Sequence, residues 1–232
     1  MSARRSKPGR TPVPTRRAIR TSTRSARSRP SRSWSGPEHL TEPDRSPPLR
    51  AAILVEGLSD QQAVEALAER RGRDLVAEGV TVVAIGGAQA IRRALGRFGP
   101  RGRDLRLAGL CDAGEEGDFR RALEEEGLEP GPGRAGLERL GFYVCDRDLE
   151  DELIRALGVG RVEEIVAASG ELGSFRTLQK QAAWSDRPRE EQLRRFMGSG
   201  ARRKIRYARL LVEALDPAEV PRPLDRVPGH VL

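Results

Sequence analysis

Short apolar runs alternate with segments of helical periodicity from residue 51 onward. The runs are continuous and rich in β-branched residues, as strands buried on both faces of a parallel sheet are. Between them, apolar residues recur every three or four positions, which predicts a helix after each strand. This alternation predicts an α/β fold with right-handed crossovers and a parallel sheet. The predicted strands are 51–55, 80–85, 105–111 and 142–145.

Local signals predict how some of these elements begin and how they are connected. Ser59 and Gln62 have the spacing of a capping box, which predicts that the first helix starts there. The segment 127–136 contains four glycines and two prolines, and it predicts a surface loop.

The chain beyond Gly158 has only helical periodicity, so it predicts a helical extension rather than further strands. Three prolines, Pro217, Pro221 and Pro223, predict that the last helix ends there and that an extended carboxyl tail follows. The helices predicted in this part are about 161–168, 171–183, 189–197 and 203–215.

Charge divides the chain into a basic start and a nearly neutral body. Residues 1–50 hold 13 basic and three acidic side chains, whereas the remaining residues hold 29 basic and 31 acidic ones. The start is rich in Arg, Ser and Pro and has too few apolar residues to offset the entropy of ordering. We therefore expect three parts: a disordered basic tail at 1–48, an α/β domain at 49–158, and a helical extension at 159–232 packed on it.

The tail has three possible interpretations. It is a solvated extension, an arm whose arginines bind nucleic-acid phosphates without sequence preference, or an organelle transit peptide. Arg29-Pro30 and Pro47-Pro48 would break a long amphipathic helix, which argues against the transit peptide.

The lack of long apolar runs and the small number of cysteines indicate in which cellular compartment the protein is found. No run approaches the roughly 20 apolar residues that span a bilayer, so we expect no membrane partner. Cys111 and Cys145 each end an apolar run; buried apolar thiols are the simplest interpretation, and a redox pair is the alternative. Two cysteines and two distant histidines do not favour a zinc site. We therefore expect a reducing, cytoplasmic setting.

Acidic residues follow the predicted strands. Glu56 ends the first strand and Asp60 lies four residues later, Asp112 ends the third strand, and Glu150 follows the fourth. Parallel strands end at one sheet edge, where α/β folds place their sites, so these carboxylates are expected to converge. Oxygen ligands without His or Cys favour a hard cation such as Mg²⁺, and carboxylate-held Mg²⁺ serves phosphodiester hydrolysis.

The sequence V-E-G-x-S-D at 55–60, Gly86-Gly87 after the second strand and the strand-ending Asp112 resemble a TOPRIM domain. This metal-binding fold is shared by topoisomerases, bacterial primases and several nucleases. The closer resemblance is to the TOPRIM half of the overcoming-lysogenisation-defect (OLD) endonucleases, through Asp148-Leu149-Glu150 and Lys204 ahead of Tyr207-Ala208. It extends over about 51–215 and excludes the tail.

The resemblance implies a TOPRIM-like parallel sheet with flanking helices and a nuclease that cuts DNA with one or two Mg²⁺ or Mn²⁺ ions. It implies that Glu56 is a general acid/base or a metal ligand, and that Lys204 stabilises phosphoryl charge. From its position beside Lys204, Arg203 is a second candidate for this role. The metal ligands that it implies are Glu56, Asp60, Asp112 and Glu150.

Two departures from the family pattern limit what the resemblance implies. The usual Asp-x-Asp is Asp112-Ala113-Gly114 here, so Glu115 or Glu116 has to replace the second acid, or one metal site is weakened. Full OLD proteins carry an ATPase half, but this sequence has no phosphate-binding loop, so a separate ATPase subunit is a candidate partner. A non-catalytic module that binds nucleic acid or a partner, and a nucleotidyl transferase, remain alternatives.

Overall fold

The computed structural model describes residues 47–232 apart from the side chain of Ala88, so the predicted tail lies almost wholly outside the described residues. Its centre is a four-stranded, all-parallel sheet, which confirms the predicted fold class. The strand order is β2-β1-β3-β4. The strands are β1 (Ala51–Val55), β2 (Val80–Ala84), β3 (Arg106–Asp112) and β4 (Phe142–Cys145).

The register aligns the carboxyl ends of β1, β3 and β4, at or just beyond which the candidate acids lie. Val55 of β1 pairs with Leu110 of β3, and Asp112 pairs with Cys145 of β4. Gly109 allows β4 to lie close to β3, since a Cβ there would lie 2.5 Å from the ring of Phe142. The residues that follow β1, β3 and β4 therefore begin at one edge of the sheet.

Helices cover both faces of the sheet. The face packed by α2, α3 and α4 forms one apolar core, and the face packed by α1 and the later helices forms the other. Helix α5 is bent at Gly158, whose φ of 74° is not helical. The helices are α1 (Leu58–Arg70), α2 (Ile91–Phe98), α3 (Glu116–Glu125), α4 (Gly133–Arg139), α5 (Leu149–Ala168), α6 (Leu172–Gln179), α7 (Arg189–Met197), α8 (Ala201–Ala214) and α9 (Arg222–Val231).

The extended carboxyl tail predicted from the prolines is wrong, because residues 222–231 form helix α9. Proline is tolerated in the first turn of a helix, where its missing N–H has no intrahelical partner. Pro223 lies in that turn, and Leu224, Val227 and Val231 face the core at helical spacing.

Two local predictions are also wrong. Helix α1 begins at Leu58 after Gly57, so Ser59 lies inside the helix; Asp60 caps it by accepting a hydrogen bond from the Gly57 N–H at 2.9 Å. The segment 127–136 is only partly a loop, because Gly133 begins α4.

The two cysteines are buried on opposite faces of the sheet. Cys145 pairs with Asp112, one position beyond Cys111, and side chains alternate between faces along a strand. Cys111 accordingly belongs to one apolar core and Cys145 to the other. The interpretation as buried apolar thiols is therefore favoured over a redox pair.

Among residues 47–232, no helix has the length and apolar character that a membrane crossing requires.

Candidate metal centre

The first two acids of the site are joined across neighbouring strands. Glu56 follows β1 directly, and Asp112 is the last residue of β3. The backbone N–H of Asp112 donates a hydrogen bond of 2.8 Å to Oε1 of Glu56. The second oxygen, Oε2, accepts no hydrogen bond from the described part of the chain. Glu56 is thus held in place with one oxygen available for a ligand.

Glu115 completes a group of three carboxylates, which we call the open acids. One oxygen each of Glu56, Asp112 and Glu115 lies within 4.8 Å of the others. Glu115 precedes the first turn of α3, just beyond Gly114. The neighbouring Glu116 points elsewhere, because it contacts Arg120 at 3.4 Å and Arg134 at 3.3 Å. Helix register thus selects Glu115.

Burial and the repulsion of neighbouring negative charges raise the pKa values of Glu56 and Asp112. The pKa of Glu56 is raised to about 7, mainly because the carboxyl is partly buried. The hydrogen bond from the Asp112 N–H lowers this pKa, whereas the negative charges of Glu115 and Asp60 raise it. Burial and the charge of Glu56 raise the pKa of Asp112 to about 8. None of the open acids forms an ion pair with any residue in 47–232. This site is therefore short of positive charge.

A second group of acids, which we call the paired acids, lies beside the first. It consists of Asp60, Asp148 and Glu150, each of them at most 9% exposed. Glu150 Oε1 lies 3.3 Å from the Nζ of Lys204. Burial raises the pKa of Glu150 to about 7 despite this cation, and burial also raises the pKa of Asp60 although Lys204 lowers it.

Lys204 reaches this group from α8, which packs along α1. Burial alone would lower its pKa, but the charges of Glu150 and Asp60 together raise it. The ammonium group therefore stays protonated at neutral pH. It supplies the only positive charge in direct contact with Glu150 among the described residues.

Glu171, just before α6, holds the amino end of α8 in place. It accepts hydrogen bonds from Nη2 of Arg203 at 2.8 Å and from the hydroxyl of Tyr207 at 2.9 Å, and it also pairs with Arg206. Arg203, predicted to act with Lys204, thus has its charge engaged by Glu171. These contacts fix the turn that carries Lys204.

Asp148 connects the site to α7. It caps α5 by accepting a hydrogen bond from the Asp151 N–H at 2.8 Å, and it forms an ion pair with Arg194. Arg194 was missed by sequence reasoning, because 46 positions separate the two partners and no local pattern links them.

The structure thus distributes the predicted ligands over two groups. Glu56 and Asp112 lie together with Glu115, which the sequence offered only as a substitute for the missing acid. Asp60 and Glu150 lie instead with Lys204.

Comparisons with known proteins concern the fold and the family. Residues 49–99 match the family model described as overcoming lysogenization defect protein-like, TOPRIM domain. The C-terminal region of the Xanthomonas campestris pv. campestris OLD protein has a similar structure, with a TM-score of 0.62, 23% identity, and coverage of 79% of this chain and 92% of that chain. The C-terminal region of the Burkholderia pseudomallei OLD protein is similar too, with a TM-score of 0.62 and 23% identity. That match covers 79% of this chain and 96% of the other. No curated protein matches the sequence.

The parallel sheet whose central strands end at carboxylates, together with the match of residues 49–99, is that of a TOPRIM-like domain. Within that class, the chain resembles the TOPRIM half of the OLD family, as its sequence motifs predicted.

Proposed function

We propose that this protein is a Mg²⁺- or Mn²⁺-dependent nuclease that hydrolyses phosphodiester bonds of DNA. The observation that carries the proposal is the meeting of Glu56, Asp112 and Glu115 at the sheet edge without a compensating cation. Structural acids at a protein surface usually have a basic partner or open solvent. Acids that are partly buried, close together and unpaired are a feature of functional sites.

The open acids fit a hard divalent cation. All three are carboxylates, the ligand type that Mg²⁺ and Mn²⁺ prefer. With Mg²⁺–O bonds of ~2.1 Å, opposite ligands of an octahedral ion lie about 4.2 Å apart and adjacent ligands about 3.0 Å apart. Oxygens that now lie within 4.8 Å of one another would therefore approach by at most about 2 Å on binding the ion. A bound cation would neutralise developing phosphoryl charge and lower the pKa of an attacking water.

Lys204 is suited to stabilise the transition state. Its ammonium lies at the border of the paired acids, held by Glu150, and its side chain is 40% exposed. A fixed positive charge that is already oriented costs no reorganisation when phosphoryl charge develops. Glu56, with a pKa of about 7, also suits proton transfer near neutral pH when it is not bound to a cation.

The assignment of DNA as substrate, and of an ATPase as a candidate partner, is supported by the resemblance to the OLD family. The alternative, a non-catalytic module, is favoured by one observation: Gly114 occupies the position of the second family aspartate. The position of Glu115 favours the nuclease, because it supplies the third carboxylate.

The test is nicking of supercoiled plasmid DNA in Mg²⁺, Mn²⁺ or EDTA. We expect metal-dependent nicking by the wild type and none above background by Glu56→Gln or Asp112→Asn. Glu124→Gln, which removes an exposed acid on α3, is the matched control and should cut normally. Circular dichroism checks the fold of each variant. Plasmid that stays intact with folded wild-type protein and saturating Mn²⁺ would show that the module is non-catalytic.

A further inference from the structure

A cleft of 270 Å³ continues from the paired acids toward α7. Glu150 and Lys204 line it, so it lies directly beside the candidate site. Trp184 also lines it, together with the arginines Arg147 and Arg195. The proposed nuclease chemistry uses none of these three residues.

Trp184 is presented by a fixed turn between α6 and α7. Gln192 is only 3% exposed, and its amide donates hydrogen bonds to the backbone oxygens of Trp184 at 2.8 Å and Arg187 at 2.9 Å. Its side-chain oxygen accepts a third, from Gln179 at 2.9 Å. The buried Gln192 thus ties the backbone of this turn to the end of α6. The indole of Trp184 packs partly against the apolar core, so both the turn and the ring are held before any ligand arrives.

The cations that line the cleft differ in how they are paired. Arg194 is neutralised by Asp148, and Lys204 contacts Glu150. By contrast, Arg195 forms no ion pair with residues 47–232, and its guanidinium lies 5.8 Å from the centre of the Trp184 ring. Arg147 has only a 4.0 Å contact with Asp151. The cleft therefore combines an aromatic ring with two arginines that are weakly paired or unpaired among residues 47–232, and Glu191, which also lines it, contacts Arg187 at 3.9 Å.

We infer that this cleft binds an unpaired nucleotide of the DNA strand next to the scissile phosphate. Its base would stack on Trp184, and its phosphates would contact Arg147 and Arg195. Aromatic rings flanked by arginines bind single strands in this way, because every base has a π-face and every nucleotide a phosphate. The inference rests on the proposed function and narrows its substrate to DNA with a single-stranded or frayed segment.

Binding can be measured without cleavage. The chain has two tryptophans, Trp34 and Trp184, so Trp34→Phe leaves Trp184 as the only indole fluorophore. This variant is titrated in EDTA with oligothymidylate, with a blunt duplex and with oligouridylate. We expect quenching by oligothymidylate at concentrations well below those at which the duplex acts.

Variants in the natural background then locate the contact. By fluorescence anisotropy of labelled oligothymidylate, Trp184→Ala should weaken binding about tenfold or more, and Trp184→Phe should retain most of it. Arg195→Ala should also weaken binding, whereas Arg103→Ala is a matched control, since Arg103 is an exposed arginine preceding β3 at the opposite sheet edge. In all four variants, the affinity for the blunt duplex should differ from that of the wild type by less than twofold.

Three results would overturn the inference: unchanged affinity in Trp184→Ala, equal losses for single strand and duplex, or tighter binding of oligouridylate, which would assign the site to RNA. These results are separable from the nuclease proposal. A chain that nicks plasmid but binds normally without Trp184 refutes only the cleft. A chain that shows stacking but no metal-dependent nicking refutes only the hydrolysis.

Discussion

The open acids and the paired acids lie side by side, but they differ in whether a cation of the same chain contacts them. Glu150 and Asp148 each contact a cation of the same chain, Lys204 and Arg194. The open acids have no such partner in the described residues, and the pKa values of Glu56 and Asp112 are raised to about 7 and 8. One half of the site is thus complete in itself, whereas the other half needs a cation from solution. We therefore expect the first divalent ion to bind at the open acids.

After the loss of Glu56 or Asp112, which should abolish nicking, the next largest effect should follow removal of the internal cation. Lys204→Met should slow plasmid nicking by about 10²–10³-fold, the scale for losing one preorganised group that stabilises transition-state charge. Lys204→Arg should restore part of the rate, because it returns charge but not the compact ammonium. Single-turnover rates at saturating Mn²⁺ measure this, and a methionine variant that cuts at the wild-type rate contradicts the role.

The same Lys204→Met variant should also bind more divalent ions than the wild type. Without the ammonium, Glu150 and Asp60 lose their internal positive charge and should bind a divalent cation themselves. Counting bound Mn²⁺ by electron paramagnetic resonance should therefore give one more ion per chain than in the wild type. An unchanged count would mean that the paired acids are not a latent metal site.

A smaller effect is expected from Glu115→Gln. Losing one of three carboxylates should weaken Mn²⁺ binding by roughly tenfold or more, in the range seen when groups supporting a metal site are removed. The adjacent Glu116→Gln is the matched control, since Glu116 pairs with arginines outside the site. Isothermal titration with Mn²⁺ compares them, and equal affinities of the two variants would remove Glu115 from the ligand set.

Breaking the Asp148–Arg194 pair should chiefly affect stability. Arg194→Leu leaves Asp148, whose side chain is 8% exposed, with one hydrogen bond fewer, and should lower the free energy of unfolding by about 1–3 kcal/mol. Urea unfolding measures the loss. Mn²⁺ affinity should be unchanged, because the open acids do not contact Arg194; a change there would show that the two groups are coupled.

The smallest effect concerns pH. Carboxyls whose pKa is raised by folding bind protons more tightly in the folded state, so stability should fall as pH rises from about 5 to 8 in EDTA. Mg²⁺ should reduce this fall. The lowered pKa of His230 acts in the opposite direction over this range, so the wild type is compared with Asp112→Asn, in which the fall should be shallower. If the urea midpoint changed with pH in the same way in the wild type and in Asp112→Asn, the raised pKa of Asp112 would be contradicted.

Much of the sheet could be predicted from sequence, because β1 and β4 are continuous apolar runs with the same bounds in the structure. The convergence of Glu56 and Asp112 was also predictable, since parallel strands end at one edge. The choice of Glu115 over Glu116 was not, because it depends on where α3 begins by a single residue. Pairing of Asp148 with Arg194 likewise depends on how α7 packs, which no local pattern encodes.

Helix α8 carries Lys204 close to the end of the chain, while the acids it serves begin at Glu56. A polypeptide still being synthesised therefore has its carboxylates in place well before it has its ammonium. Full activity of the proposed nuclease would arise only after α8 has packed against α1. Under the proposed function, fragments that lack α8 would also lack this ammonium and should cut DNA far more slowly than the whole chain.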